Sequence, residues 1–246
     1  MVIKKSGLLL LILISFSCNR ASENKEEKDL DKRSSTVVKK RDDGTLSSVN
    51  QVDEIGRVHG VRVTYFADGK TIYTKLTFKH GKKHGPSIRY YNNGQIYEHA
   101  NFENGEKHGL TRKYYKTGKL MAEFEYSHGI ALSGLKEYNK EGELINSYPT
   151  VEFKEVNHLA SNDRIDLEIH CSKPYNGTKY FLVRGENEKA NRTYLITEKG
   201  TALIQFYLAP GEVLSKKVEM MSEIPTELGN VYVKRYTYHL TARNDK

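Results

Sequence analysis

The chain has 246 residues, with 39 basic against 31 acidic side chains and a net charge of +8. That length allows one domain or two. The positive excess is spread along the chain rather than gathered in one stretch, which argues against a dedicated nucleic-acid groove.

At the N-terminus, Lys4 and Lys5 form a positive region, Leu8 to Ile14 an unbroken apolar run, and Ser15-Phe16-Ser17 a small-residue approach to Cys18. Seven apolar residues fall far short of the roughly 20 that cross a bilayer as a helix, so residues 1–17 read as a signal peptide. The cysteine that follows resembles a bacterial lipobox. The resemblance implies that Cys18 becomes the lipid-modified (palmitate-type) N-terminus of a membrane-anchored lipoprotein, with ordinary secretion the alternative. Cys171 is then the only mature thiol; no intramolecular disulfide is available, and it reads as an inert core residue. Residues 18–36 are charged and lack aromatics, a composition that cannot offset its ordering entropy, so they read as a disordered tether. The expected location is the cell envelope, the outer membrane in preference to the inner because Asn19 rather than aspartate follows the cysteine.

A repeat occupies 37–148. Gly60, Gly85 and Gly109 stand 25 and then 24 residues apart; each follows a histidine (His59, His84, His108) and precedes a tyrosine by five residues (Tyr65, Tyr90, Tyr114). A turn glycine comes four residues later (Gly69, Gly94, Gly118), and Tyr138 and Gly142 mark a weaker fourth copy. Asp68-Gly69, Asn93-Gly94 and Asn104-Gly105 are hairpin turn signals. Between turns the apolar period is two: Ile96, Ala100 and Phe102 alternate with Tyr97, His99 and Asn101. The prediction is a β-hairpin per unit, joined into one antiparallel meander with an apolar and a polar face.

After Tyr148-Pro149 the register stops. Ile165, Leu167, Ile169 and Cys171 alternate with Asp166, Glu168 and His170, and further strand segments lie at 151–156, 180–184, 193–197, 201–208, 214–221 and 231–241. Seven short strands over 149–246 predict a β-sandwich. The fold class is therefore all-β, an elongated hairpin-repeat sheet followed by a sandwich module.

The unit His-Gly, four residues, Tyr, three residues, Gly-Lys/Gln resembles MORN repeats, in a variant sometimes named as an antitoxin. In the fourth copy Leu132 and Ser133 replace His-Gly, which fits a terminal cap. The resemblance implies an elongated twisted sheet that associates with proteins or membrane surfaces, without cofactor or catalytic residues.

Site expectations follow. His59, His84 and His108 should stack two strands apart, roughly 9–10 Å per step, too far for one metal ion whose ligands sit about 2.0–2.1 Å from it; no metal site is expected. No nucleophile elbow, phosphate loop or HExxH motif is present, so no enzyme is expected. Phe66, Tyr91 and Tyr115, with Arg62, Arg89 and Lys113 alongside, form the candidate partner-binding row, aromatic and basic as recognition surfaces tend to be; stiffening of a thin sheet is the competing reading. The expected function is a non-catalytic protein-binding scaffold, with possible self-association through an open sheet edge. The alternatives are binding of anionic lipid or of glycan, or a toxin-neutralising role. Nucleic acid is not expected as a partner.

Overall fold

The computed structural model describes residues 35–173, 176–185 and 192–246; the signal peptide, Cys18 and nearly all of the proposed tether lie outside them. Among the described residues no helix is long and apolar enough to cross a membrane.

The first half is a single 12-stranded antiparallel sheet. Its strands are β1 Ser35–Lys40, β2 Leu46–Val52, β3 Val58–Tyr65, β4 Ile72–Lys79, β5 Lys82–Tyr90, β6 Ile96–Glu103, β7 Glu106–Lys107, β8 Gly109–Tyr114, β9 Leu120–Ser127, β10 Ile130–Ala131, β11 Lys136–Tyr138 and β12 Leu144–Ile145. They pair in the order β1-β2-β3-β4-β5-β6-β8-β9-β11-β12, with β7 on β6 and β10 on β9. β1 opens at Ser35, so the sheet takes in the last two residues assigned to the tether.

Two turn types join the strands. The broader one closes on a glycine amide, as in Gly94 N to Tyr91 O (3.0 Å) and Gly118 N to Tyr115 O (2.9 Å). The tighter one puts two successive residues at positive φ: His80 and Gly81 (49° and 82°), Asn104 and Gly105 (51° and 101°), His128 and Gly129 (48° and 79°). This is the pattern of a type I′ hairpin turn, whose twist matches that of the flanking strands. The glycine amide of each tight turn reaches back one unit, Gly81 N to Val58 O, Gly105 N to Lys83 O and Gly129 N to Lys107 O, all 2.8 Å. Consecutive units are thus stitched by backbone as well as by the ladder.

The expected apolar face is mixed. One register row reads Asn50, Arg62, Leu76, Ser87, Ala100, and its neighbour Ser48, Thr64, Thr74, Arg89, Glu98, Lys113, Ala122, Glu137. A sheet with no second layer over it has no reason to keep a face apolar. Among the described residues the hydrophobic clusters contain nothing N-terminal to Ala122. The early units are held instead by ladder bonds and cross-strand pairs such as Thr64 Oγ1 with Thr74 Oγ1 (2.6 Å).

The second half is a sandwich of two four-stranded sheets. β13 Val151–Asn157, a short helix α1 Leu159–Asn162, β14 Arg164–Cys171, β15 Lys179–Val183, β16 Arg192–Leu195, β17 Thr197–Glu198, β18 Thr201–Tyr207, β19 Val213–Pro225 and β20 Val231–Arg243 follow in chain order. One sheet runs β13-β14-β18-β17, the other β16-β15-β19-β20. Leu167, Ile169 and Ala202 from the first meet Tyr180, Val218 and Met220 from the second in one core. The strand expected at 193–197 is two strands, because the chain changes sheet at Ile196. Cys171 is half-buried at the end of β14 rather than enclosed.

The last repeat units dock onto the β15-β19-β20 sheet. Ala131 packs with Phe181, Val183, Met221 and Val233. Ala122, Phe124 and Leu135 lie under Tyr148 and Tyr232, whose rings stack at 4.2 Å.

Candidate functional site

The repeat sheet carries the candidate residues, and its register decides which of them share a surface. Phe66, Tyr91 and Tyr115 occupy the same position, the first residue of a broad turn, and so line one margin of the sheet. The rings of Phe66 and Tyr91 meet the next strand alike, edge-on to Tyr73 (4.9 Å, 62°) and Tyr97 (5.1 Å, 69°). Tyr91 Oη donates to Tyr114 O at 2.8 Å and Tyr115 Oη to Tyr138 O at 2.7 Å, so each hydroxyl clasps the following unit. Arg41 fills the same role two units before Tyr91, donating from Nη2 to Tyr65 O at 2.8 Å. Partial burial pushes both tyrosine hydroxyls above their usual range. Beside them lies a cleft of about 440 Å³ lined by Tyr91, Tyr115, Lys116, Thr117 and Lys140.

The three cations do not form one row. Arg89 and Lys113 flank Glu98 in register, while Arg62 lies in the neighbouring row. Glu98, only 7% exposed, accepts from Lys107 Nζ (3.1 Å) and Arg89 Nη2 (3.4 Å). Lys113 is 8% exposed and donates to Gly229 O across the contact between the halves. Burial pulls its ammonium pKa down, against the opposing pull of Glu98. Lys113 therefore serves the internal contact, whereas Arg62, Arg89, Phe66, Tyr91 and Tyr115 are each partly exposed.

Glu137, which sequence reasoning passed over, is the polar centre of that contact. It is 2% exposed and accepts at 2.6 Å from both Thr226 Oγ1 and Asn230 Nδ2. Burial, with Glu137 close by, pushes the Tyr148 hydroxyl up to about 12. The signal available in sequence was the departure of the fourth copy from the repeat pattern, since Ala131, Leu135 and Glu137 all fall in it.

The repeat histidines lie in equivalent places, His59 in β3, His84 in β5 and just ahead of β8 His108. Two of them meet a tight-turn residue from the next unit: His59 meets His80, with ring centroids 4.7 Å apart, and His108 meets His128, also at 4.7 Å. The expected ladder left out His80 and His128, which the backbone stitch carries in from the turns.

The profile of a family described as MORN repeat variant matches residues 83–104 and 107–128, so these two units are MORN-type repeats. No curated protein and no solved structure gives a significant match. Repeats of this kind are protein- or membrane-binding modules without enzymatic activity.

Proposed function

We propose that the protein is a non-catalytic cell-envelope lipoprotein, anchored through Cys18, whose repeat sheet is a binding scaffold for a protein partner. The observation that carries this reading is the division of labour within the sheet. The last units are covered by the chain's own sandwich, whereas β1 to β6 form a single layer with no hydrophobic cluster among the described residues. β1 is an edge strand with every residue exposed, Val37 and Val38 included, which suits strand addition or self-association.

The test is affinity capture from crosslinked native membranes with the full chain and with an Arg62→Glu/Phe66→Ser variant. Loss of a stoichiometric partner in the variant supports the scaffold; the same partner retained by both rejects this surface. Incorporation of labelled palmitate that disappears in Cys18→Ala checks the anchor.

One observation favours a membrane-surface reading. Arg57, Lys79 and Lys82 surround a cleft of about 420 Å³ with His80 and His84. Salt-sensitive binding of a Cys18→Ala chain to anionic vesicles would favour headgroup attraction over a protein partner.

A further inference from the structure

The backbone stitch builds a side-chain constellation twice. Gly129 N bonded to Lys107 O places His128, the residue before the glycine, beside His108, the residue after the lysine. Glu103, at the end of β6, completes the group. Its Oε2 lies 3.6 Å from His108 Nδ1 and 3.8 Å from His128 Nε2. Two units earlier, Gly81 N on Val58 O brings His80 beside His59, with Asp53 as the carboxylate. In both groups one ligand atom from each residue lies within 4.8 Å of the others. The equivalent place between them holds His84 with Lys79 and Asn104, and lysine there supplies a charge that repels a cation. The constellation therefore alternates along the array instead of recurring as a by-product of every repeat.

The separations fit metal chemistry. Tetrahedral ligands at about 2.1 Å from zinc stand about 3.4 Å from one another, so the 3.6 and 3.8 Å gaps need only small rotamer shifts. His108 Nδ1 is shielded from solvent and has no hydrogen-bond partner among the described residues, leaving a buried lone pair or proton unused. His128 stands at φ 48° where Asn104, with the better side chain for that conformation, stands at 51°. The turn does not require histidine.

The two groups differ in one respect. Arg57 donates from Nε to Asp53 Oδ2 at 2.8 Å and brings Nη2 to 3.2 Å from His80 Nδ1, so a guanidinium already lies among the first set. The corresponding place beside the second set, one residue before the carbonyl that the turn amide bonds, holds Glu106, whose charge does not oppose a cation.

From this geometry we propose that Glu103, His108 and His128 bind one divalent first-row transition-metal ion of the zinc class, the choice suited to two imidazoles and a carboxylate. Three protein ligands leave a coordination position open to water. The Asp53, His59 and His80 set is the weaker copy, held closed by Arg57.

The test is calorimetric titration of the untagged full chain with zinc chloride at about pH 7.5, where imidazole is largely neutral, paralleled by cobalt chloride followed by absorption. The expected result is one ion per chain. Glu103→Gln and His128→Asn are each expected to weaken binding at least ~10-fold; the asparagine copies Asn104, so the turn survives, and an unchanged urea midpoint without metal confirms it. Arg57→Ala is expected to add a second ion, which His80→Asn then removes. The proposal is overturned if zinc produces no heat and cobalt no band, if one-ion binding persists in both Glu103→Gln and His128→Asn, or if His80→Asn alone abolishes it.

Discussion

The tyrosine clasp admits a test of opposite signs within one molecule. Tyr91 and Tyr115 each close a hydrogen bond to the next unit, while Phe66, at the equivalent position, has no hydroxyl to offer Tyr90 O. Because Phe66 and Tyr91 hold nearly the same edge-on geometry against the following strand, a hydroxyl added at Phe66 should land where that of Tyr91 does. A net intramolecular hydrogen bond contributes about 1 kcal/mol. The margin is half-buried, so an abandoned carbonyl can turn to water and the loss should stay near that value. Tyr91→Phe and Tyr115→Phe are therefore expected to cost about 1 kcal/mol each, and Phe66→Tyr to gain about 0.5–1 kcal/mol. In a chain of this size that is about 2–4 °C in Tm per kcal/mol. Urea unfolding followed by circular dichroism measures the difference, and hydrogen exchange at the Gly118 and Gly142 amides localises it. If Phe66→Tyr leaves the midpoint unmoved while Tyr115→Phe costs nothing, the hydroxyls are merely solvated and the units are coupled through backbone alone.

Three further outcomes follow from the same geometry. Glu137→Ala leaves Thr226 and Asn230 without their buried acceptor and should cost about 3 kcal/mol, with calorimetry resolving the repeat sheet and sandwich into separate transitions; a cost under about 0.5 kcal/mol would mean that the apolar contacts alone hold the halves together. A Cβ at Gly69 (φ +65°) would sit 2.7 Å from the Leu46 backbone nitrogen, whereas one at Gly94 (φ +81°) meets nothing within 4 Å; Gly69→Ala should therefore lower the urea midpoint clearly more than Gly94→Ala, which bears only the left-handed strain of about 1–2 kcal/mol. Asp68 is held below its ordinary value of 3.8 by the Thr71 hydroxyl and the Lys70 and Thr71 amides; its contribution is complete above that value and lost as pH falls through the lowered one, so Asp68→Asn should flatten the acid side of a urea-midpoint profile.

Strand positions were legible because both halves carry local instructions. Glycines mark the repeat turns, and alternation such as Ile165, Leu167, Ile169 marks the sandwich strands. Contacts between elements were not. Ala122 and Phe124 have the same pattern as Ala100 and Phe102, yet only the former enter a hydrophobic cluster with Tyr148 and Tyr232, since that depends on where the downstream module comes to rest. Glu98 and Glu137 look like ordinary surface carboxylates in a polar alternation, and burial came from register neighbours and from the sandwich. His80 and His128 sit in tight turns; that a turn amide would carry them to a neighbouring histidine needs the three-dimensional register. The split of one predicted strand at Ile196 likewise depends on which sheet each piece joins.

The bonds from Gly81, Gly105 and Gly129 to the preceding unit are made by backbone atoms alone, and the residues that seat the sandwich lie mainly in the last two units. A whole unit inserted or deleted upstream would thus keep every junction intact and leave the docking surface untouched. Each added unit brings two strands, or about 9–10 Å of width. The distance between the N-terminal edge and the sandwich is in that sense a dial with fixed clicks, adjustable by tandem duplication of about two dozen codons without redesign of either end.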